Sequence, residues 1–283
     1  MSEKKWTISQ CLAYIDENLA KELTINGLAQ LAGYSYKYFC HWFCQGVGIP
    51  IGEYLRKKRL YQAAESLSYG KRLDDVALAS GFDTPSGFNK AFKREFQLSP
   101  SEYRQQFQKV KKPRFESRPA LKCVCYSIPP FEGREWNPFT PADHCLEASL
   151  NMVSLEDYNK LTAAGLGEVG FWSDPAAVSG NRTYYFGAIV PDFSYVPPGM
   201  LKIELPAATY GVFTTIPVNI GADKYGFRQR VEDVKKYIYT VWFEDDLLYT
   251  IDEEKILFEY YAANSGGAGK SYPVEIYVPI KEK

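Results

Sequence analysis

No apolar run of about 18 residues, the length a membrane-crossing helix requires, occurs in this chain of 283 residues. Met1-Ser-Glu-Lys-Lys-Trp-Thr7 has no apolar signal core either. Together these absences argue against a membrane partner and lead us to expect a cytoplasmic protein. Cysteines number only six and are scattered, without the even spacing of a disulfide framework. Cys40 and Cys44 are four residues apart with His41 beside Cys40, but no second pair of ligands accompanies them, so neither a metal nor a cofactor is expected. An excess of charge is also missing, the net being −1. That balance conceals an asymmetry: residues 1–112 hold 17 lysines and arginines against 11 acids, and the remainder 16 against 23. A basic half beside an acidic half assigns any nucleic-acid partner to the first.

What is present is a pattern that occurs twice. Ala29-Gln-Leu-Ala-Gly33-Tyr34, then Phe39, Phe43 and Glu53-Tyr54, is matched by Ala77-Leu-Ala-Ser-Gly81-Phe82, then Phe88, Phe92 and Glu102-Tyr103. Each copy reads as a short helix, a glycine turn and a second helix. Two helix-turn-helix units in one chain can reach two successive major grooves of double-stranded DNA without dimerising, so a monomer or weak dimer suffices. The periodicity predicts helices over 7–19, 36–45, about 51–68, 74–80, 85–96 and 100–108. Phe39, Phe43, Phe88 and Phe92 form the inward faces. Ser35, Tyr36, Lys37, Cys40 and His41 then border or face outward from the first reading helix, and Thr84, Ser86, Asn89, Lys90 and Lys93 from the second. Lysines suit guanine or phosphate, and Asn89 suits adenine. Lys57, Lys58, Arg59, Lys71 and Arg72 are placed for backbone contacts.

Residues 109–118 are charged, carry Pro113 and lack period, and so read as a linker. Beyond them the period becomes 2. Strand-like runs at 121–128, 168–173, 183–190, 200–214, 255–262 and 273–280 alternate with helical stretches near 143–163 and 225–246. This gives an α+β domain over 119–283 made of a duplicated β-α-β-β unit, following an all-α domain over 1–108. Glu259 is the one charge in Ile256–Ala263. A carboxylate in such a strand is costly unless paired. Either its partner is a ligand cation held by aromatic rings, or Glu259 is exposed at a sheet edge or salt-bridged to a lysine of the chain. Tyr261, Trp136, Trp172, Tyr210 and Trp242 are the candidate aromatic walls. Two glycine motifs, Gly165–Gly170 and Asn264–Ser271, imitate phosphate loops but lead into strands where a helix is required, and are read as hairpin turns.

The first 108 residues resemble the AraC/XylS family of transcription regulators through Ala29-x-x-x-Gly33-Tyr34-Ser35, Phe39-x-x-x-Phe43, Arg59-Leu60-x-x-Ala63, Val76-Ala77-x-x-x-Gly81-Phe82, Phe88-x-x-x-Phe92-Lys93 and Ser99-Pro100-x-x-x-Arg104. Cys40 stands where the family often carries Gln. The second domain resembles the gyrase-inhibitor-like (GyrI-like) effector-binding family, on its duplicated order and on Glu259 within Phe258-Glu-Tyr-Tyr261. These resemblances imply a bacterial one-component regulator, with RNA polymerase as a further candidate partner. They also imply a pocket for lipophilic, often cationic, effectors with Glu259 at its floor. Some GyrI-like domains hydrolyse small molecules, and a tethered protein-contact domain is the other alternative. With no histidine or nucleophile grouped near Glu259 in the sequence, a non-enzymatic protein is expected.

Overall fold

The structure, a computed structural model, describes residues 5–19, 21, 23–82, 84–128, 153–172, 183–217, 224–246, 248–263 and 271–283. The chain divides into two compact units, with the division between Gln106 and Phe107. Among the described residues, no helix is long and apolar enough to cross a membrane.

The first unit is helical: α1 (Ile8–Asn18), α2 (Ile25–Leu31), α3 (Tyr36–Val47), α4 (Ile51–Ser68), α5 (Leu73–Ala79), α6 (Pro85–Phe96) and the first part of α7 (Pro100–Val110). Local chemistry sets the helix starts. Thr7 and Gln10 form a reciprocal capping box on α1, and the Thr24 and Thr84 hydroxyls accept from the Gly27 and Gly87 amides at 3.1 and 3.0 Å. Pro85 fits the first position of α6, where no backbone N–H is needed. The turns between α2 and α3 and between α5 and α6 place Gly33 at φ +75° and Gly81 at φ +68°, a region open mainly to glycine. Phe39 and Phe43 of α3 and Phe88, Phe92 and Phe96 of α6 are fully buried. Phe43 packs edge-on to Tyr54, and Phe92 edge-on to Tyr103, so the same aromatic contact recurs in both repeats. Truncating such a ring costs about 3–5 kcal/mol.

The second unit is an antiparallel sheet covered by helices. Its elements are β1 (Arg114–Arg118), β2 (Leu121–Ile128), α8 (Leu155–Thr162), β3 (Glu168–Trp172), β4 (Tyr184–Val190), β5 (Leu201–Leu205), β6 (Ala208–Thr214), α9 (Lys224–Tyr237), β7 (Tyr249–Ile251), β8 (Phe258–Tyr261) and β9 (Glu275–Glu282). Helix α9 continues into a π-helical turn, Ile238–Trp242, and a short turn, Phe243–Asp245. The strand order is β1-β6-β9-β8-β3-β4-β2-β5, with β7 on β9. The duplication is visible in it. β2-α8-β3-β4 and β6-α9-β8-β9 form the three-strand groups β3-β4-β2 and β6-β9-β8, which meet where β3 pairs β8.

Three expectations are corrected. Residues 109–118 do not form a linker, because α7 runs to Val110 and Arg114–Arg118 is an edge strand paired with β6. The run 200–214 is two strands, broken at Pro206-Ala207, with β5 on β2 and β6 on β9. Gly165 and Gly167 join α8 to β3, and Gly170 lies within β3, so this motif closes no hairpin. Most of the second glycine motif, residues 264–270, lies outside the described residues, as does 143–152 of the expected helix.

Candidate functional site

In the first unit α3 and α6 present the outer faces expected from the pattern. Ser35, Tyr36, Lys37 and His41 are exposed at α3, and Thr84, Ser86, Asn89, Lys90 and Lys93 at α6. Ser35 precedes α3 with no side-chain capping bond, whereas Thr84 spends its hydroxyl on the Gly87 amide. Cys40 is a correction: it is half-buried and packs against the core instead of facing outward. Its thiol is small and apolar enough to fill that edge. Tyr38, which the pattern did not single out, is exposed and stacks on Tyr34 at 5.0 Å, with the Lys5 ammonium 5.1 Å from the Tyr34 ring. Lys57 and Lys58 are corrected as well. Lys57 pairs with Glu95 of α6 at 2.7 Å, and Lys58 with Asp16 of α1 at 2.7 Å. They brace the long helix α4 against its neighbours. Neither pairing is legible locally, since the partners lie about 40 residues away in sequence.

In the second unit the candidate site is the β3–β8 seam. Residues directly opposite across antiparallel strands share a face, and Gly170 is opposite Glu259, as Glu168 is opposite Tyr261. Glu259 is buried, and three donors converge on it. The Lys235 ammonium of α9 is 2.6 Å from Oε1, and the Tyr184 and Tyr261 hydroxyls donate to Oε2 at 3.0 and 2.5 Å. Burial alone would raise the carboxyl pKa, but Lys235 and the donated hydrogen bonds outweigh it and hold Glu259 below the usual carboxylate range. Burial, together with the charge of Glu259, pushes the Tyr261 phenol well above its ordinary value. Tyr184 reaches across β3 because Gly170 offers no side chain: a Cβ there would overlap the Tyr184 hydroxyl. Trp172, exposed at the end of β3, meets Tyr184 edge-on at 5.1 Å, and Phe186 meets Tyr261 at 5.4 Å. The result is a neutralised ion pair set among aromatic rings.

The neighbouring Glu168 lies on the same face and accepts a hydrogen bond from Tyr158 of α8. Burial raises its pKa, and the Tyr158 bond offsets this only in part. Each half therefore sends one donor from its helix to one glutamate at the seam.

Of the expected aromatic walls, Tyr261 hydrogen-bonds Glu259, and Trp172 is linked to it through the ring of Tyr184. Tyr210 is corrected, because its register opposite Pro279 puts it on the reverse face. There it is buried with Phe258 and Tyr277, rings edge-on at 5.4 and 5.6 Å. Trp242 is also corrected: its ring is core, packed on Phe213, Phe243 and Phe115 at 5.2, 4.8 and 6.3 Å. Trp136 lies outside the described residues. Sequence reasoning missed Tyr184, Phe186, Gly170 and Lys235 by name, although a lysine partner was among its alternatives for Glu259; the alternative of an exposed edge position is excluded by the burial of Glu259.

A cavity of about 310 Å³ lies elsewhere in this unit, lined by Arg118, Lys122, Leu166 and Ile189 among others, and Glu259 does not line it. Arg118 is already engaged by Glu116 and by the Tyr277 hydroxyl. The seam therefore has the stronger chemical signature: a buried carboxylate surrounded by donors and rings. Among the described residues, no group of three or more His, Cys, Asp or Glu could hold a metal ion.

Comparison with known proteins matches a family to each part of the chain. Residues 28–106 match the helix-turn-helix domain family, and residues 149–280 match the integron-associated effector binding protein family. Over 98 residues the chain is 38% identical to the HTH-type transcriptional activator AarP of Providencia stuartii, covering 34% of this chain and 73% of that one. It is 34% identical over 105 residues to the regulatory protein SoxS of Escherichia coli K12, covering 37% of this chain and 97% of SoxS. The chain belongs to the AraC/XylS family of transcription regulators. The transcriptional regulator Rob of Salmonella typhimurium is 29% identical over 150 residues, which span about half of each protein, 52% of this chain and 51% of Rob. This family member thus joins an AraC-type DNA-binding domain to a GyrI-like effector-binding domain.

Proposed function

We propose that this AraC/XylS-family regulator binds promoter DNA through α3 and α6 and senses a small aromatic, lipophilic molecule at the β3–β8 seam. The observation that carries the reading is Glu259, a buried carboxylate with three donors, one of which, Tyr184, packs against the exposed ring of Trp172. Ser35, Tyr36, Lys37, His41, Ser86, Asn89, Lys90 and Lys93 are the proposed DNA contacts. A ligand can regulate only through differing affinity for two states. Lys235 is a candidate coupling element, because it ties α9 to the carboxylate.

The domain acts by binding and not by catalysis in this reading. An ionised carboxylate held below its usual pKa, with both oxygens already accepting hydrogen bonds, is a poor general base. We further propose a cytoplasmic protein, monomeric or weakly dimeric, with RNA polymerase as its partner at the promoter.

The test is to titrate the intact protein with aromatic lipophiles, following tryptophan fluorescence, and then to measure DNA affinity with and without the ligand that saturates it. Saturable binding that changes DNA affinity supports the reading. Saturable binding abolished by Trp172→Ala places the ligand at the seam. No saturable binding by any lipophile would leave the second unit as a protein-contact domain.

A further inference from the structure

We propose that Lys235 sets the charge of the molecule accepted at the seam: by holding Glu259 it takes the place of an organic cation, so the site selects an uncharged aromatic ligand. The inference rests on the seam being the effector site.

The geometry supports this in three ways. First, the Lys235–Glu259 contact is short, 2.6 Å, and little exposed, with side-chain accessibilities of 14% and 9%. A carboxylate paired at that distance offers an incoming cation no unbalanced charge. Second, the other oxygen is occupied by Tyr184 and Tyr261. A cationic ligand would therefore have to displace an ammonium while keeping two phenols in place. Third, the displaced ammonium would remain beside the ligand, and two like charges in a poorly solvated space repel strongly. Glu232 lies 3.6 Å from the same ammonium, but it is half exposed, so its attraction is screened. An uncharged aromatic molecule meets none of these costs. It can lie against Trp172 and leave the pair intact.

The experiment uses the full-length protein and two probes of similar shape, tetraphenylphosphonium as the cation and triphenylphosphine oxide as the uncharged molecule. Wild type should bind the oxide roughly tenfold or more tighter than the phosphonium. Lys235→Met should raise phosphonium affinity on the order of 10- to 100-fold, the range expected for a charged contact, and leave the oxide nearly unchanged. Lys235→Arg should behave as wild type. Lys235→Met/Glu259→Gln should lose the gain, because the carboxylate that attracts the cation is gone. If Lys235→Met is unstable with its carboxylate unpaired, phosphonium should raise its melting temperature by more than it raises that of wild type, and the oxide should raise the two alike.

Equal phosphonium affinity in wild type and Lys235→Met would overturn the proposal, as would a wild type that prefers the cation. In either case a bound probe still supports an effector site. Binding of neither probe to any form would sink the effector-site reading, and the charge assignment with it.

Discussion

Gly170 lies directly opposite Glu259 on β3 and β8, and the missing side chain at 170 is what lets the Tyr184 hydroxyl reach the carboxylate. Gly170→Ala should therefore act on Glu259 from the neighbouring strand. The added methyl overlaps the phenol, Tyr184 must swing out, and the carboxylate loses one donor. The expected loss is about 1.5–3 kcal/mol, as for a hydrogen bond to a charged group. Chemical denaturation measures it. Tyr184→Phe removes the same donor, so the two substitutions should be less than additive. Full additivity would show that Gly170 is not acting through Tyr184.

The two seam glutamates should respond to acid in opposite senses. The folded-state pKa of Glu259 lies below its ordinary value, so its stabilisation is present at neutral pH and is lost as pH falls through the folded value. The folded-state pKa of Glu168 is raised. Its ionisation therefore opposes folding above that value, and the penalty disappears as pH falls below the ordinary carboxylate range. Glu259→Gln should cost stability at neutral pH, and Glu168→Gln should cost none or add a little. Both differences from wild type should shrink on acidification. Thermal melts from about pH 7 down to pH 3 span the carboxylate range and test this. A Glu168→Gln protein as damaged as Glu259→Gln would contradict the assignment.

These contrasts show where the sequence is legible. Residues three or four apart specify a helix-turn-helix, so the two repeats, their Gly33 and Gly81 turns and their phenylalanine cores can be read directly. The duplicated strand-and-helix order is legible because the switch between period 2 and period 3.6 is also local. Pairings between distant segments are not. Arg114-Phe-Glu-Ser-Arg118 resembles a linker because its partner β6 comes about 90 residues later. Tyr210 falls on the reverse face because of its register with β9, which no local pattern contains. Lys57 looks like a phosphate contact until Glu95 is found beside it.

That last pairing separates two lysines by experiment. Lys37 is exposed on α3, while Lys57 is bound to Glu95, which also receives the Tyr61 hydroxyl at 3.4 Å. Lys37→Ala should weaken DNA binding and lower the slope of log affinity against log salt by about 1, the signature of one lost phosphate contact. Lys57→Ala should leave that slope unchanged and reduce stability by about 1–3 kcal/mol, because Glu95 loses its counter-ion. Affinities at several salt concentrations, together with denaturation curves, distinguish the two. A reduced slope for Lys57→Ala would mean that it leaves Glu95 for a phosphate on binding.

On α6 the residues that specify sequence should likewise separate from those that only hold the backbone. Asn89 and Lys90 are adjacent and exposed near the start of the helix, where side chains of a reading helix meet base edges. The Asn89 amide can both donate to and accept from adenine, whereas an ammonium at 90 or 93 can only donate and suits phosphate as well as guanine. Asn89→Ala should therefore relax preference at one base pair, losing about 1–3 kcal/mol of discrimination there while changing binding to unrelated DNA little. Lys93→Ala should weaken all sequences alike. Binding to a library of single-base operator variants resolves the two patterns. If Asn89→Ala weakens every variant equally, α6 grips the backbone, and recognition of sequence rests on α3 alone.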